Sequence, residues 1–264
     1  MPVSDAQKTV DGYPRSIFIT GASSGIGRAL AQSYAAPGVT LFLCGRNGDR
    51  LQISADACRK QGAEVYTYLF DVTDAASSER AIKKAWDINP FDLVIANAGV
   101  SAGVLGGTES SSRSRTIFET NVFGVVNTVL PAVDLMKKRR SGQIAIISSI
   151  AAYRGMSSCP AYSASKACVK AWGEALHGVL KAEGVDVSVV CPGFVETPLT
   201  DKNKFYMPFL MKASKAADII KKRLVKRPAI IAFPFVMVFG AWLGSFLPSR
   251  IALPIMGLLP RKEK

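Results

Sequence analysis

Between residues 16 and 36 a short run of β-forming apolar residues, Ser16-Ile17-Phe18-Ile19-Thr20, stops at a glycine-rich turn and passes directly into a helix-forming stretch, Arg28 to Ala36. The turn is Gly21-Ala22-Ser23-Ser24-Gly25-Ile26-Gly27. Glycine lets the backbone turn tightly and lets a pyrophosphate approach the helix N-terminus, where free N–H groups and the macrodipole favour an anion. The strand before and the helix after supply the context such a motif requires. A turn selected only for packing is the plain alternative. Gly21-Ala22-Ser23-Ser24-Gly25 also satisfies G-x-S-x-G, the nucleophile elbow of serine hydrolases, and His177 follows downstream. Against that reading, the match falls on the first strand and leaves Gly27 without a role.

The same alternation continues along the chain. Val39–Cys44, Glu64–Phe70, Leu93–Ala96, Gln143–Ser148 and Asp186–Cys191 read as strands. Between them Asp49–Gln61, Ala75–Trp86, Arg113–Arg139 and Ser163–Glu183 read as helices. Continuous apolar strands alternating with amphipathic helices imply a parallel sheet covered on both faces, hence a doubly wound α/β fold of Rossmann type. No repeat, linker or low-complexity tract interrupts the pattern, so a single domain with a C-terminal appendage is expected.

Composition narrows the function classes. With 48% hydrophobic and 20% charged residues the chain is globular rather than disordered. Five cysteines (Cys44, Cys58, Cys159, Cys168, Cys191) form no CxxC pair, which argues against a disulfide framework and for a reducing, cytoplasmic compartment. One histidine and no clustered cysteines leave no zinc site, and no metal is expected. The first residues, Met1 to Lys8, lack the apolar core of a signal peptide.

Tyr162-Ser163-Ala164-Ser165-Lys166 sets a phenol and an ammonium one turn apart on one helix face. A free tyrosine titrates near ~10, and a neighbouring cation favours the phenolate and lowers that value. Taken alone, the pair is short enough to be incidental. In register with other motifs it is not: the chain resembles the short-chain dehydrogenase/reductase family over about residues 14–200. The resemblance rests on Thr20-Gly21-x-x-x-Gly25-Ile26-Gly27, Asp71-Val72, Asn97-Ala98-Gly99, Asn121, Ser149, Tyr162-x-x-x-Lys166, and Pro192-Gly193 with Thr197. Ala96 departs from the second asparagine common before Asn-Ala-Gly.

The resemblance implies an oxidoreductase moving a hydride between a nicotinamide cofactor and a carbonyl or secondary alcohol. Tyr162 would be the acid or base, Lys166 its modulator and a ribose ligand, and Ser149 the holder of the substrate oxygen. Asn121 would anchor a proton-relaying water. Gly21, Ser23, Ser24, Gly25, Ile26 and Gly27 would take the pyrophosphate. Asp71 and Val72 would meet the adenine, Asn97, Ala98 and Gly99 the adenosine ribose, and Pro192, Gly193 and Thr197 the nicotinamide. The implied layout is a tail over 1–13, a catalytic domain over 14–234 that includes a basic lid region at 201–227, and an apolar and basic extension over 235–264.

An acidic residue at the end of the second strand would select NAD through the ribose hydroxyls. That position holds Gly45, and Arg46 follows, a residue able to clasp a 2′-phosphate. NADP(H) is therefore expected ahead of NAD(H), although Arg46 can also simply stack on an adenine.

The C-terminal quarter is different in kind. Residues 201–264 carry 13 Lys and Arg against 3 Asp and Glu. The run Pro228–Leu247 is uncharged and twenty residues long, the length of a membrane span. Pro228 and Pro234 interrupt it, and the resemblance makes Ala229–Phe233 a seventh strand. That leaves Phe235–Leu247, followed by a second apolar piece, Ile251–Leu259. Three uses compete: a subunit interface in a homodimer or homotetramer, peripheral attachment to the cytoplasmic face of a membrane through Trp242 and Phe246 with the lysines on anionic lipid, and a true transmembrane anchor. Nothing spaces aromatic residues among the cations as a nucleic-acid surface would, so nucleic acid is not an expected partner. The apolar tail and the loop Met207-Pro208-Phe209-Leu210-Met211 favour a hydrophobic or lipid-like ketone. The alternatives are a polar keto substrate with the tail used for oligomerisation, or a nucleotide-binding protein without turnover.

Overall fold

The computed structural model describes residues 9–10, 12–101, 109–201, 206–248, 250–252 and 254. Seven strands form one parallel sheet: β1 (Ser16–Thr20), β2 (Thr40–Gly45), β3 (Glu64–Leu69), β4 (Leu93–Ala96), β5 (Gly142–Ile147), β6 (Val185–Pro192) and β7 (Ile230–Phe233). Their spatial order is β3-β2-β1-β4-β5-β6-β7. Every residue of β1, β2, β4 and β5 is buried, which is why these strands read as unbroken apolar runs rather than alternating ones.

The period of two shows instead in which side of the sheet each residue feeds. Ile17 and Ile19 of β1 pack into one core with α1 (Gly25–Tyr34) and α2 (Gly48–Arg59). Phe18 points the other way, into a second core with α3 (Ala75–Ile88). Two helices, α2 and α3, start where a side chain satisfies a free N–H group: Asn47 accepts from Arg50 N at 2.9 Å and Asp74 from Ser77 N at 3.0 Å.

The expected helix over Arg113–Arg139 is built in three pieces. α4 (Ser111–Phe118) passes through a π turn, Glu119–Phe123, into α5 (Gly124–Arg139). Hydrophobic periodicity does not reveal a single inserted residue, and π turns of this kind cluster at functional sites. The next helix, α6, spans Pro160–Leu180, with Pro160 in its first turn and a 3₁₀ turn, Lys181–Glu183, after it.

The uncharged run 228–247 is not one element. It divides into β7 and α8 (Phe235–Phe246), with α7 (Ala213–Leu224) before them. Twelve residues give α8 a length of about 18 Å, well short of a bilayer core of about 30 Å, so the transmembrane reading fails for it. Among the described residues only Ser111–Arg139 has the length and apolarity of a span, and half of its most apolar stretch is buried inside the fold. A two-residue antiparallel pair, Thr9–Val10 with Tyr13–Pro14, precedes β1. The rest of the expected tail at 1–8, Lys202 and Lys204 of the basic region, and 255–264 of the extension lie outside the described residues.

Candidate active site

The order of strands reverses between β1 and β4, and ligands on such sheets bind in the crevice beyond the carboxyl ends of the strands there. At that point Thr20 Oγ1 accepts from the backbone N–H groups of Asn97 and Ala98, at 3.1 and 3.2 Å. The Asn97 side chain returns the link, donating to the carbonyls of Thr20 and Gly21 at 3.0 and 3.2 Å. This packing dictates Gly27: a Cβ there would lie 2.3 Å from the Gly21 oxygen and 2.5 Å from Asn97 Nδ2. Gly25 has φ +54°, and a Cβ on it would press on Thr197 at 2.9 Å. Asn97, expected against a ribose, thus has its amide spent beneath the turn. Arg28, which the motif did not mark, steadies the same turn by donating to the Ser23 carbonyl at 2.6 Å and to Ser54 Oγ at 2.9 Å.

The end of β5 and the start of α6 bring three side chains together. Ser149 caps a 3₁₀ turn, Ile150–Ala152, by accepting from Ala151 N at 3.1 Å, and it lines the cleft together with Tyr162. Its neighbour Ser148 faces away and donates to the Lys166 carbonyl at 2.8 Å, so Ser149 is the member in register with Tyr162. Lys166 is 4% exposed; its ammonium donates to the Ile147 carbonyl at 2.9 Å and lies 5.9 Å from the centre of the Tyr162 ring. Burial pushes the Tyr162 phenol up to about 12, with the Ser149 side chain opposing. Burial also pulls the Lys166 ammonium down to about 8. Contrary to the expected lowering of Tyr162 by Lys166, desolvation dominates both groups and raises the phenol.

Asn121 lies in the π turn, fully buried. It clasps Val100 from both sides, accepting from its N–H at 2.8 Å and donating to its carbonyl at 3.0 Å, and it donates to Ser165 Oγ at 3.0 Å. Its amide is committed to these partners, so the structure gives it a positioning role. A Cβ on Gly99 would meet both Asn121 Oδ1 (3.2 Å) and Lys166 Nζ (3.4 Å), which shows how closely these residues pack.

A cleft of about 1170 Å³ collects most of the expected site. Gly21, Ser23, Ser24, Gly25, Ile26, Arg46, Val72, Asn97, Ala98, Gly99, Ser149, Tyr162, Lys166, Pro192, Gly193 and Thr197 all line it. Gly27, Asp71 and Asn121 do not; they act from behind the wall. Asp71 pairs with Arg46 at 3.1 Å and accepts from Thr73 N and Oγ1 at 3.0 Å each. Although partial burial opposes it, the hydrogen bonds from Thr73 and Arg46 hold Asp71 below the usual carboxylate value. His177 is absent from the lining, its ring bonded to the Val187 carbonyl at 2.7 Å, so Ser23 has no histidine beside it in the cleft and the hydrolase reading fails.

Three features of the cleft were not marked in the sequence. Arg154 lines it and donates through Nη1 to the carbonyls of Gly244 and Leu247, both at 2.9 Å. One side of α8 lines it through Met237, Gly240, Ala241 and Gly244. Tyr206 lines it from the loop before α7, beside Pro208 of the Met207–Met211 loop already singled out in the sequence. The first two depend on contacts across some ninety residues of chain, which no local pattern announces.

A glycine turn at the switch point of a doubly wound sheet, with a buried Ser–Tyr–Lys set in the same cleft, marks an oxidoreductase centre of Rossmann type. The family model described as short chain dehydrogenase matches residues 15–205, and the chain belongs to the short-chain dehydrogenase/reductase family. An uncharacterized oxidoreductase of Myxococcus xanthus is 37% identical over 243 residues, covering 90% of this chain and 94% of that protein. The ketoacyl reductase HetN of a Nostoc species is 31% identical, over 78% of this chain and 72% of that protein. Among solved structures, a short chain dehydrogenase from Mycobacterium paratuberculosis bound to NAD superposes with a TM-score of 0.76 at 23% identity, covering 85% of this chain and 98% of that one. An actinorhodin polyketide ketoreductase variant with NADPH gives 0.76 at 24% identity, over 85% and 97% of the two chains.

Proposed function

We propose that this oxidoreductase uses NADP(H) to interconvert a carbonyl and a secondary alcohol, working as a reductase of a hydrophobic ketone. The observation that carries the reading is that Ser149, Tyr162 and Lys166 line one cleft together with the glycine turn, Tyr162 and Lys166 one helical turn apart on α6. The chain fits a dinucleotide: the cradle of Gly21, Gly25 and Gly27 has no room for side chains, and the α1 N-terminus opens onto it. Gly21 to Ile26 would take the pyrophosphate, Val72, Ala98 and Gly99 the adenosine half, and Lys166, Pro192, Gly193 and Thr197 the nicotinamide half. When bound, that group supplies or accepts the hydride at the substrate carbon.

The chain's own residues handle the oxygen. Ser149 donates to the carbonyl oxygen and stabilises the charge that develops on it. Tyr162, protonated at neutral pH, delivers its proton to that oxygen. Lys166, charged below about 8, stabilises the phenolate left behind. Asn121, fixed to Val100 and Ser165, holds the π turn against α6, the helix that carries Lys166, and any relay water would sit on the backbone of its π turn.

The preference for NADP(H) is supported by Gly45 at the end of β2 and by Arg46, which is exposed and held only by Asp71 among the described contacts. A hydrophobic substrate is supported by Ile150, Met156, Phe194, Pro208 and Met237 around the inner cleft. Exposed Phe123 and Leu130 on the π turn and α5, with Val179 on α6, support self-association into a homodimer or homotetramer. The exposed face of α8 supports peripheral contact with the cytoplasmic side of a membrane. The basic stretch at 221–227 contributes little to such contact. It lies on the last turn of α7 and the turn into β7, at the opposite end of that strand from α8, with Lys221 bonded to the Ser33 carbonyl, Arg223 to the Ala232 carbonyl and Arg227 paired with Asp186.

The test is NADPH and NADH oxidation against ketones from cyclohexanone and keto sugars to long-chain methyl ketones. The expected result is turnover with NADPH that rises with chain length. Faster turnover of keto sugars would replace the hydrophobic ketone with a polar substrate. No turnover with any carbonyl or alcohol, despite cofactor binding, would leave a nucleotide-binding protein.

A further inference from the structure

We propose that α8 is a wall shared by the substrate cleft and a lipid surface, so that an apolar substrate reaches Tyr162 from the lipid without crossing water. The inference rests on the carbonyl-reductase reading and adds the partner that delivers the substrate.

The two sides of α8 differ sharply. Met237, Gly240, Ala241 and Gly244 face the cleft. A Cβ on Gly240 or Gly244 would meet nothing within 4 Å, and neither residue has a positive φ. A glycine inside a helix costs about 1 kcal/mol relative to alanine, and here neither backbone strain nor crowding requires one. What the two glycines provide is width, in a cleft that runs to Tyr162.

The other side carries Phe235, Phe239, Trp242 and Phe246, which are 78%, 50%, 47% and 67% exposed. Their rings form a continuous row with centres 6.0, 6.1 and 4.8 Å apart, stacked at Phe235–Phe239 and edge to face at Trp242–Phe246. Val236 and Leu243 extend the strip, each at least half exposed. The helix has no charged residue, and its one hydroxyl, Ser245, is satisfied internally by the Trp242 carbonyl at 2.6 Å. Such a face offers no polar rim of the kind that frames a protein–protein interface. It suits hydrocarbon, where every polar group has to be satisfied within the element.

Charge separates a lipid surface from a second copy of the chain. From Ile219 to Lys262 the sequence contains no acidic residue. Arg154 sits at the carboxyl end of α8 and Arg250 just beyond it. Two copies meeting here would bring like charges together, whereas anionic headgroups complement them. At about 18 Å the helix is too short to span a bilayer, so it lies in the interface with its aromatic side down. Arg154 holds it to the body through the carbonyls of Gly244 and Leu247.

The experiment floats the full chain on vesicles made from equal parts phosphatidylcholine and phosphatidylglycerol, then assays cyclohexanone in buffer and a long-chain methyl ketone in the vesicles. The wild type should float. Trp242→Ala with Phe246→Ala, both outside the cleft lining, should weaken vesicle binding about tenfold or more. That variant should slow the vesicle-borne ketone in step and leave cyclohexanone reduction unchanged. Gly240→Leu, which narrows the cleft and leaves the aromatic side untouched, should float normally and lose turnover of the long-chain ketone. If the wild type reduces cyclohexanone but stays off the vesicles, the inference is overturned and the reductase reading stands. If no ketone is reduced, the reading fails and delivery to Tyr162 fails with it, while flotation still decides whether α8 docks on lipid. If the double variant turns a dimer into monomers on a sizing column, α8 covers a second copy and the lipid partner is excluded.

Discussion

The Lys166 ammonium donates to the Ile147 carbonyl at 2.9 Å. The next residue of the strand end, Ser148, donates to the Lys166 carbonyl at 2.8 Å, so β5 grips one residue of α6 by both its side chain and its backbone. The grip fixes the cation behind Tyr162 and buries it, and burial draws its pKa from 10.5 down to about 8.

Activity should therefore depend on pH through Lys166. Below about 8 the ammonium is charged and stabilises the phenolate formed when Tyr162 gives up its proton; above it the support is lost. Since Tyr162 itself titrates at about 12, it stays protonated across this range. The kcat/KM for ketone reduction should be level through neutral pH and fall above about 8. Lys166→Arg keeps its charge at any accessible pH, so whatever its rate, its profile should lack that falling limb. A wild-type profile flat to pH 10 would contradict the assignment.

Stability should move in the opposite sense. A lysine with a lowered native pKa releases its proton in the folded state before the unfolded one does. Between about 8 and 10.5 the unfolded chain then binds more protons at this site, and stability rises with pH there. Tyr162 acts oppositely from 10 to about 12, where the native state keeps a proton that the unfolded state has lost. Denaturant titrations at pH 7 and 9.5 should show a smaller gain in Lys166→Met than in the wild type.

Tyr162→Phe should cut turnover by about a hundredfold to ten-thousandfold, the range for losing a general acid. Dinucleotide affinity, measured by fluorescence titration, should change little, because the glycine cradle is untouched. Turnover that survives the substitution would remove Tyr162 from the chemistry.

Much of this centre is legible in the sequence because its parts are local. The turn at 21–27 is continuous in the chain, and Tyr162 and Lys166 are neighbours by helical periodicity alone. What periodicity could not give is burial. The Tyr162–Lys166 spacing suggests a lowered phenol, yet the α6–β5 contact desolvates both groups and reverses the sign for Tyr162. Asn97 has a second role that its place after a strand does not announce: its amide nitrogen ties the strand end to the turn through the Thr20 and Gly21 carbonyls. The role of α8 is hidden because the helix is apolar all round, so its hydrophobic pattern marks no face.

Asn121→Ala should destabilise the protein by about 2 kcal/mol, since it removes both links to the half-buried backbone of Val100 and the buried bond to Ser165 Oγ. Ser165→Ala removes only one of those partners and should cost less. If Asn121 positions Lys166, its alanine variant should also shift the falling limb of the pH profile, a change that loss of stability alone would not produce.

Cofactor choice should turn on the pairing of Arg46 with Asp71. Both side chains are largely exposed, at 59% and 38%, and an exposed pair is worth only ~0–1 kcal/mol. A 2′-phosphate accepting two hydrogen bonds from the guanidinium is a stronger partner than the single 3.1 Å contact to Asp71. Arg46→Ala should raise the KM for NADPH about tenfold and leave that for NADH nearly unchanged. Asp71→Asn removes the competing carboxylate, and with it a negative charge beside the phosphate, so it should improve NADPH modestly. If Arg46→Ala weakens both cofactors equally, Arg46 is stacking on the adenine, and the preference for NADP(H) has to come from elsewhere in the turn.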